Sequence, residues 1–293
     1  MLLPSVLTKI NSFNSLTIMS VMDTQKSIKK LRINADDFGL TKGVTDGVLY
    51  AHLNGIVTHT SIVAQGLDFQ RAAQIAKDTP SLGIGCHLNI SWGKPLLPVE
   101  EVSTLVSKEG NFFTFGQVTL RSFLRRVDHK QLVAEWKAQI EKVLNTGLIL
   151  THLDSHHHLH LLPTCFQVIK ELSQFYQIPY LRKPSEKLSL CEPSLIKRII
   201  LYVLCMRSWP QPSSDTFFGL SLQETNDYGY SLKKIIGRVP FGLTELMVHP
   251  AWIDYDLTRE DSMLKSREIE LVSLCDPTIK DFLLENKIIL DRP

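Results

Sequence analysis

The sequence predicts an α/β fold, a (β/α) barrel of the glycoside hydrolase/deacetylase kind, in which parallel strands alternate with crossover helices. Three observations predict it. Short β-rich runs alternate with longer amphipathic segments about eight times along the 293 residues. No linker, internal repeat or low-complexity stretch divides the chain after its first thirty residues. Several of the β-rich runs end in Asp, His or Arg, as strands do at the rim where barrels carry their chemistry.

In chain order, the strand expectations are "LRINAD" near 31–36, "IVTHTSIVA" near 56–64, "LGIGCHLNI" near 82–90 and "LILTHLDS" near 148–155. Weaker runs follow: "IPYLRK" near 178–183, "TFFGLS" near 216–221, "TELMVHP" near 244–250 and "KIILD" near 287–291. Between them lie amphipathic stretches such as "GVTDGVLYAHLNG", "DFQRAAQIAKDT" and "QLVAEWKAQIEKVLNTG". In the last, Leu132, Val133, Trp136, Ile140, Val143 and Leu144 recur at helical spacing and Gly147 marks the stop. Residues 96–130, with "SKEGNFFTF", read as an insertion that covers part of the fold and lines its rim, together with the 185–230 region. Residues 1–30 read as a mobile N-terminal extension, or as an upstream start before Met19 or Met22, ahead of a single domain from 31 to 293.

Composition excludes several classes. The five cysteines (Cys86, Cys165, Cys191, Cys205, Cys275) are scattered and never spaced CxxC, which points to free thiols, a reducing cytoplasmic setting and no zinc ribbon. A net charge of +2 with dispersed basic residues suggests no nucleic-acid partner. The apolar run from Ile199 to Met206 falls far short of the roughly 20 residues of a membrane helix.

"THLDSHHHLH" places five of the ten histidines in ten residues, mid-chain and with apolar flanks. The polar strand ends are Asp36 and Asp37, His87 and Asn89, Asp154 and His156 of that stretch, Arg182, and His249. Each has an ordinary explanation alone: a helix cap, a satisfied rim histidine, a solvated loop. Together they point to a site. Two adjacent carboxylates are comfortable only if a cation neutralises one or a proton is shared, so one carboxylate on a metal and the other on a proton is the natural division. If the "DSHHH" segment is extended, His156 and His158 share one parity and can present imidazoles on one face. One Asp oxygen with two His nitrogens is an open, catalytic ligand set rather than a closed structural one. His249 is the candidate acid, since imidazole titrates near neutrality.

These residues resemble the YdjC-like carbohydrate deacetylases, a group that includes the chitooligosaccharide and hopanoid-biosynthesis deacetylases. The motifs carrying the likeness are "NADDFGLTKGVTDGVLYAHLNGIVTHTSIVAQG", "LGIGCHLNISWGKPL", "THLDSHHHLHLLP" and "TELMVHPA", over about Leu31 to Ile289. The resemblance implies a (β/α) barrel, often dimeric, that hydrolyses N-acetyl groups of N-acetylglucosamine-containing sugars with one divalent ion, Mg2+ or Zn2+. It implies Asp37, His87 and His156 as metal ligands, Asp36 as the base, His249 as the acid and Arg182 as the group that orients the base. "VHPA" stands where the family often has "HPG". Another metal-dependent hydrolase on the same barrel, of phosphoesterase or amidohydrolase type, is the alternative; those commonly open with HxH on the first strand, where this chain has Asp-Asp. A glycosidase using Asp36 and Asp37 ranks lower, because working carboxylate pairs stand about 5 Å or more apart. A non-catalytic sugar-binding protein would have lost a ligand or the base, and this chain has lost neither.

Overall fold

β1 (Lys29–Phe38) is the spine of the sheet and carries both aspartates. In this computed structural model, residues 27–293 are described apart from 187–194, 207, 210, 223–226 and 262. The first 26 residues, Cys191 and part of the 185–230 region therefore lie outside the described residues. After β1 come α1 (Lys42–Asn54), β2 (His59–Ile62), α2 (Phe69–Asp78), β3 (Gly83–Leu88), α3 (Phe115–Phe123), α4 (His129–Leu144) and β4 (His152–Ser155). A 3-10 segment (His156–Leu161) leads into α5 (Pro163–Phe175) and α6 (Leu195–Cys205). The chain ends with β5 (Thr216–Phe218), α7 (Tyr228–Ile236), β6 (Gly242–Val248), α8 (Leu257–Glu260), α9 (Leu264–Leu274), α10 (Pro277–Glu285) and β7 (Ile288–Leu290).

The strands pair in parallel in the order β4-β3-β2-β1-β6-β5. β6 takes one edge of β1 from Lys29 to Ala35. The other edge is divided: β7 pairs with Lys29–Leu31, and β2 takes over at Asn34. Several helices begin where a side chain satisfies a free N–H group, as Asp128 does by accepting from the Gln131 N–H at the start of α4. In α4, Leu132, Trp136, Ile140 and Val143 are fully buried, the stripe that the periodicity predicts.

The strand expected at 178–183 is reduced to a single bridge between Leu153 and Leu181. Pro179 and Pro184 flank it and have no N–H to extend a ladder. Leu181 N–H then donates to the Pro212 carbonyl at 3.1 Å, just ahead of β5. The sheet is a curled parallel half-barrel, and among the described residues it is not a ladder closed all the way round.

The curl shows in what meets inside it. Arg182, fully buried, touches Asp36 of β1, Asp154 of β4 and Glu245 of β6. Below it, the Arg32 guanidinium stacks 4.2 Å above the Tyr180 ring. Alternation along β1 explains this: Leu31, Ile33 and Ala35 join the apolar layer, while Arg32, Asn34 and Asp36 join the polar column inside. Room for the column is made by β3. A Cβ on Gly83 would lie 2.2 Å from the His59 ring, and one on Gly85 would lie 2.2 Å from His152 Nε2. The expected insertion at 96–130 packs mainly on the core through Val102, Leu105, Phe112 and Val118. No described helix is long and apolar enough to cross a membrane.

Gly85→Ala is expected to destabilise the chain by about 1–3 kcal/mol through overpacking against the buried His152 ring, read as a lower urea midpoint at unchanged slope.

Candidate metal and catalytic site

Two adjacent strand residues ordinarily face opposite sides. β1 evades this at its end: its register against β2 slips between Ala35 and Phe38, and Asp37 adopts a left-handed backbone with φ of 69°. The turn is fixed by Leu40 N–H donating to the Asp37 carbonyl at 2.9 Å. A left-handed non-glycine residue is costly enough to mark functional positions. Its result here is that Asp36 and Asp37 both line one cleft of about 380 Å³.

Asp37 meets two imidazoles in that cleft. Its Oδ1 lies 3.4 Å from His87 Nε2 and 3.3 Å from His156 Nδ1, and forms no hydrogen bond among the described residues. A buried carboxylate oxygen without a hydrogen bond calls for an explanation. Two ligands held at about 2.0–2.1 Å by a tetrahedral ion stand about 3.3–3.4 Å apart. The three residues therefore fit a divalent cation, with positions left open toward the cleft. His87 is set for the task, since its Nδ1 lies 2.8 Å from Asp154 Oδ1, leaving Nε2 to face Asp37. A carboxylate behind a ligating imidazole fixes its orientation and raises its basicity. Burial pushes the His87 pKa down, but Asp154, joined by Asp36 and Asp37, outweighs it and the group rises to about 9.

Each aspartate has its own arginine. Burial would push the Asp36 carboxyl up, yet Arg182, bonded to both its oxygens at 2.6 Å, holds it well below the usual carboxylate range. Asp37 is also held low, with Arg267 (Nη2 at 2.6 Å from its Oδ2), His156 and His87 together overcoming burial. Arg267 is anchored in turn by Asp261 through Nε and Nη2, both at 2.6 Å. His249 lines the cleft beside them, its pKa pushed by burial down to about 4 against the opposing pull of Asp36. Its backbone N–H donates to Glu270 Oε2 at 2.5 Å.

All six residues expected from the sequence are thus brought together: Asp36, Asp37, His87, His156 and His249 line the cleft, and Arg182 lies buried beneath it. The extended reading of "DSHHH" is corrected. Residues 156–161 turn in 3-10 conformation with His157 and His158 both left-handed, so strand parity does not apply. His156 reaches Asp37, whereas His158 packs against Phe217 and His160 is bonded to Ser155 and to the Arg182 carbonyl. The 96–130 segment reaches this end through Phe115, whose ring centroid lies 5.1 Å from that of His157. The wall is formed instead by Trp92, Glu260, Asp261 and Arg267, which sequence reasoning missed. Trp92 Nε1 donates to Glu260 Oε2 at 2.9 Å across the cleft mouth.

Residues 30–285 match the YdjC-like protein family. The chain belongs to that family. It is 34% identical over 259 residues to a carbohydrate deacetylase of Oceanobacillus iheyensis, covering 87% of this chain and 99% of that one. It is 36% identical over 253 residues to a carbohydrate deacetylase of Geobacillus stearothermophilus, covering 84% and 89%. The crystal structure of a candidate cellobiose-phosphate cleavage protein from Enterococcus faecalis superposes with a TM-score of 0.75 at 29% identity, covering 90% of this chain and 97% of that one.

Two outcomes follow from these contacts. Asp154→Asn should weaken divalent-ion binding at the cluster about 10- to 100-fold, as loss of a ligand's supporting carboxylate does, measured by competitive titration of the purified protein with zinc and with magnesium. Burial pushes the Glu270 carboxyl up to about 7 from an ordinary 4.5. Between those values the folded chain binds the extra proton, so this group's contribution is present in full below about 4.5 and is lost as pH rises through about 7. Glu270→Gln should flatten that fall in urea-unfolding stability; an unchanged slope would refute the assignment.

Proposed function

We propose that the chain is a metal-dependent carbohydrate deacetylase, hydrolysing the N-acetyl groups of acetylated amino sugars such as N-acetylglucosamine-containing oligosaccharides. The observation that carries this reading is the open Asp37–His87–His156 cluster with a second carboxylate, Asp36, and an imidazole, His249, in one cleft. The deacetylase relatives support the choice of substrate class. A (β/α) barrel as a single domain from 31 to 293, in the cytoplasm and paired as a homodimer, is part of the same proposal. The free state of the described cysteines supports the compartment.

Asp37, His87 and His156 would hold the ion, and the donor set of one oxygen and two nitrogens suits Zn2+ at least as well as Mg2+. Bound there, such an ion supplies Lewis-acid polarisation of an acyl oxygen and lowers the pKa of water. Asp36, ionised and aimed by Arg182, is the base for the water that adds to the acetyl carbon. His249 protonates the departing nitrogen. Burial favours its neutral form, and the nearby Asp36 charge favours the imidazolium that the step requires.

Acetate release from N-acetylated chitooligosaccharides should occur, cease on dialysis against a chelator and return with zinc or magnesium. Asp36→Asn should lower turnover by about 100-fold or more. Undiminished turnover removes Asp36 as base, and phosphatase activity without acetate release favours a phosphoesterase of the same architecture.

A further inference from the structure

Arg267 is a stronger residue than a clamp on Asp37 requires. Its guanidinium is buried, with 3% of the side chain exposed. Nε and Nη2 are spent on Asp261 and Asp37, but Nη1 is buried with no hydrogen-bond partner among the described residues. A point charge such as lysine would neutralise Asp37 equally well; only the planar fork offers another donor at a fixed angle. An unmatched donor on a buried, permanently charged group is disfavoured unless something else accepts from it. Arg267 also lines the cleft with Asp36, Asp37, Glu260 and Asp261. Those carboxylates disfavour an anionic substrate, which leaves a neutral oxygen that becomes negative during the reaction as the natural acceptor.

We infer that Arg267 is a catalytic residue whose Nη1–H binds the acyl oxygen of the substrate's acetyl group. The inference rests on the deacetylase reading. As the water oxygen bonds to the acetyl carbon, its proton passes to Asp36 and the carbonyl π pair moves onto the acyl oxygen, where Nη1–H meets the new charge. The pair then returns, the C–N bond breaks, and its electrons stay on the nitrogen, which takes from His249 a proton that residue has drawn from solvent, while Asp36 returns its own proton to solvent. Acetate and the free amine leave. Donors aimed at such a developing charge act on the transition state more than on the bound substrate. Because Nη2 of the same plane is fixed to Asp37, Nη1 is held at a fixed offset from that carboxylate.

Arg267→Lys keeps a cation beside Asp37 and removes the second donor. At saturating zinc its kcat/KM on N-acetylated chitooligosaccharides should fall on the order of 10- to 100-fold, chiefly in kcat, the loss expected of one charge-assisted hydrogen bond. Its zinc affinity by competitive titration should stay within about threefold of the native chain. Native kcat/KM in the variant, or a loss that excess zinc restores, overturns the inference and leaves the deacetylase reading standing. Absence of acetate release by the native chain overturns both. Crystals of the native chain soaked in zinc acetate test the contact without any variant. An acetate oxygen within hydrogen-bond distance of Arg267 Nη1 supports it, and acetate bound at the cluster away from Nη1 overturns it.

Discussion

The structure turns on one buried cation. Arg182 is fully enclosed and reaches carboxylates on three strands, Asp36 on β1, Asp154 on β4 and Glu245 on β6. Taking any of these groups out of water singly costs several kcal/mol, so none is tolerable there alone, and removal of one partner from such a set typically costs about 3–5 kcal/mol. Each carboxylate that Arg182 holds then does something else. Asp154 orients His87, Asp36 faces the cleft in a fixed ionised state, and Glu245 takes the hydroxyl of Tyr180, whose ring carries Arg32. The curl of the sheet and the geometry of the site are consequently the same fact.

A core of this kind inverts the usual division of labour. The apolar layer, from Leu31 and Ile33 outward to Leu132, Trp136 and Ile140, lies between sheet and helices and supplies the burial that drives folding. The column inside the sheet is polar and supplies definition. Its imidazoles differ in kind. His59 is driven by burial to about 3 and His160 to about 4, which makes them neutral packing groups, whereas Asp154 keeps His87 basic. Sharing a histidine-rich stretch does not mean sharing a role.

Much of this was legible in the residues because strand ends advertise themselves. Asp36, Asp37, His87, His156, Arg182 and His249 each close a β-rich run, and the parallel sheet gathers those ends on one side. What was not legible lay elsewhere. Arg267 sits in "KSREIE", whose charges read as a solvated helix face, and no local pattern says that one of them turns inward. Glu245 could have been found, as a lone charge within the otherwise apolar "TELMV" strand. The histidine parity failed because Ser155 accepts the His160 N–H and folds the segment into a turn. The missing strand at 178–183 was announced by its own prolines, which outrank the β-propensity of "YL".

The order of the site along the chain carries a biosynthetic consequence. Asp37, His87 and His156 all precede residue 157 in the chain, while His249 and Arg267 follow residue 248. Arg267 is separated from the aspartate it grips by 230 positions. A growing polypeptide thus holds Asp37, His87 and His156 well before it holds His249 or the guanidinium that grips Asp37. Gathering of the three candidate ligands and completion of the cleft around them are separable events in the making of this protein, in that sequence.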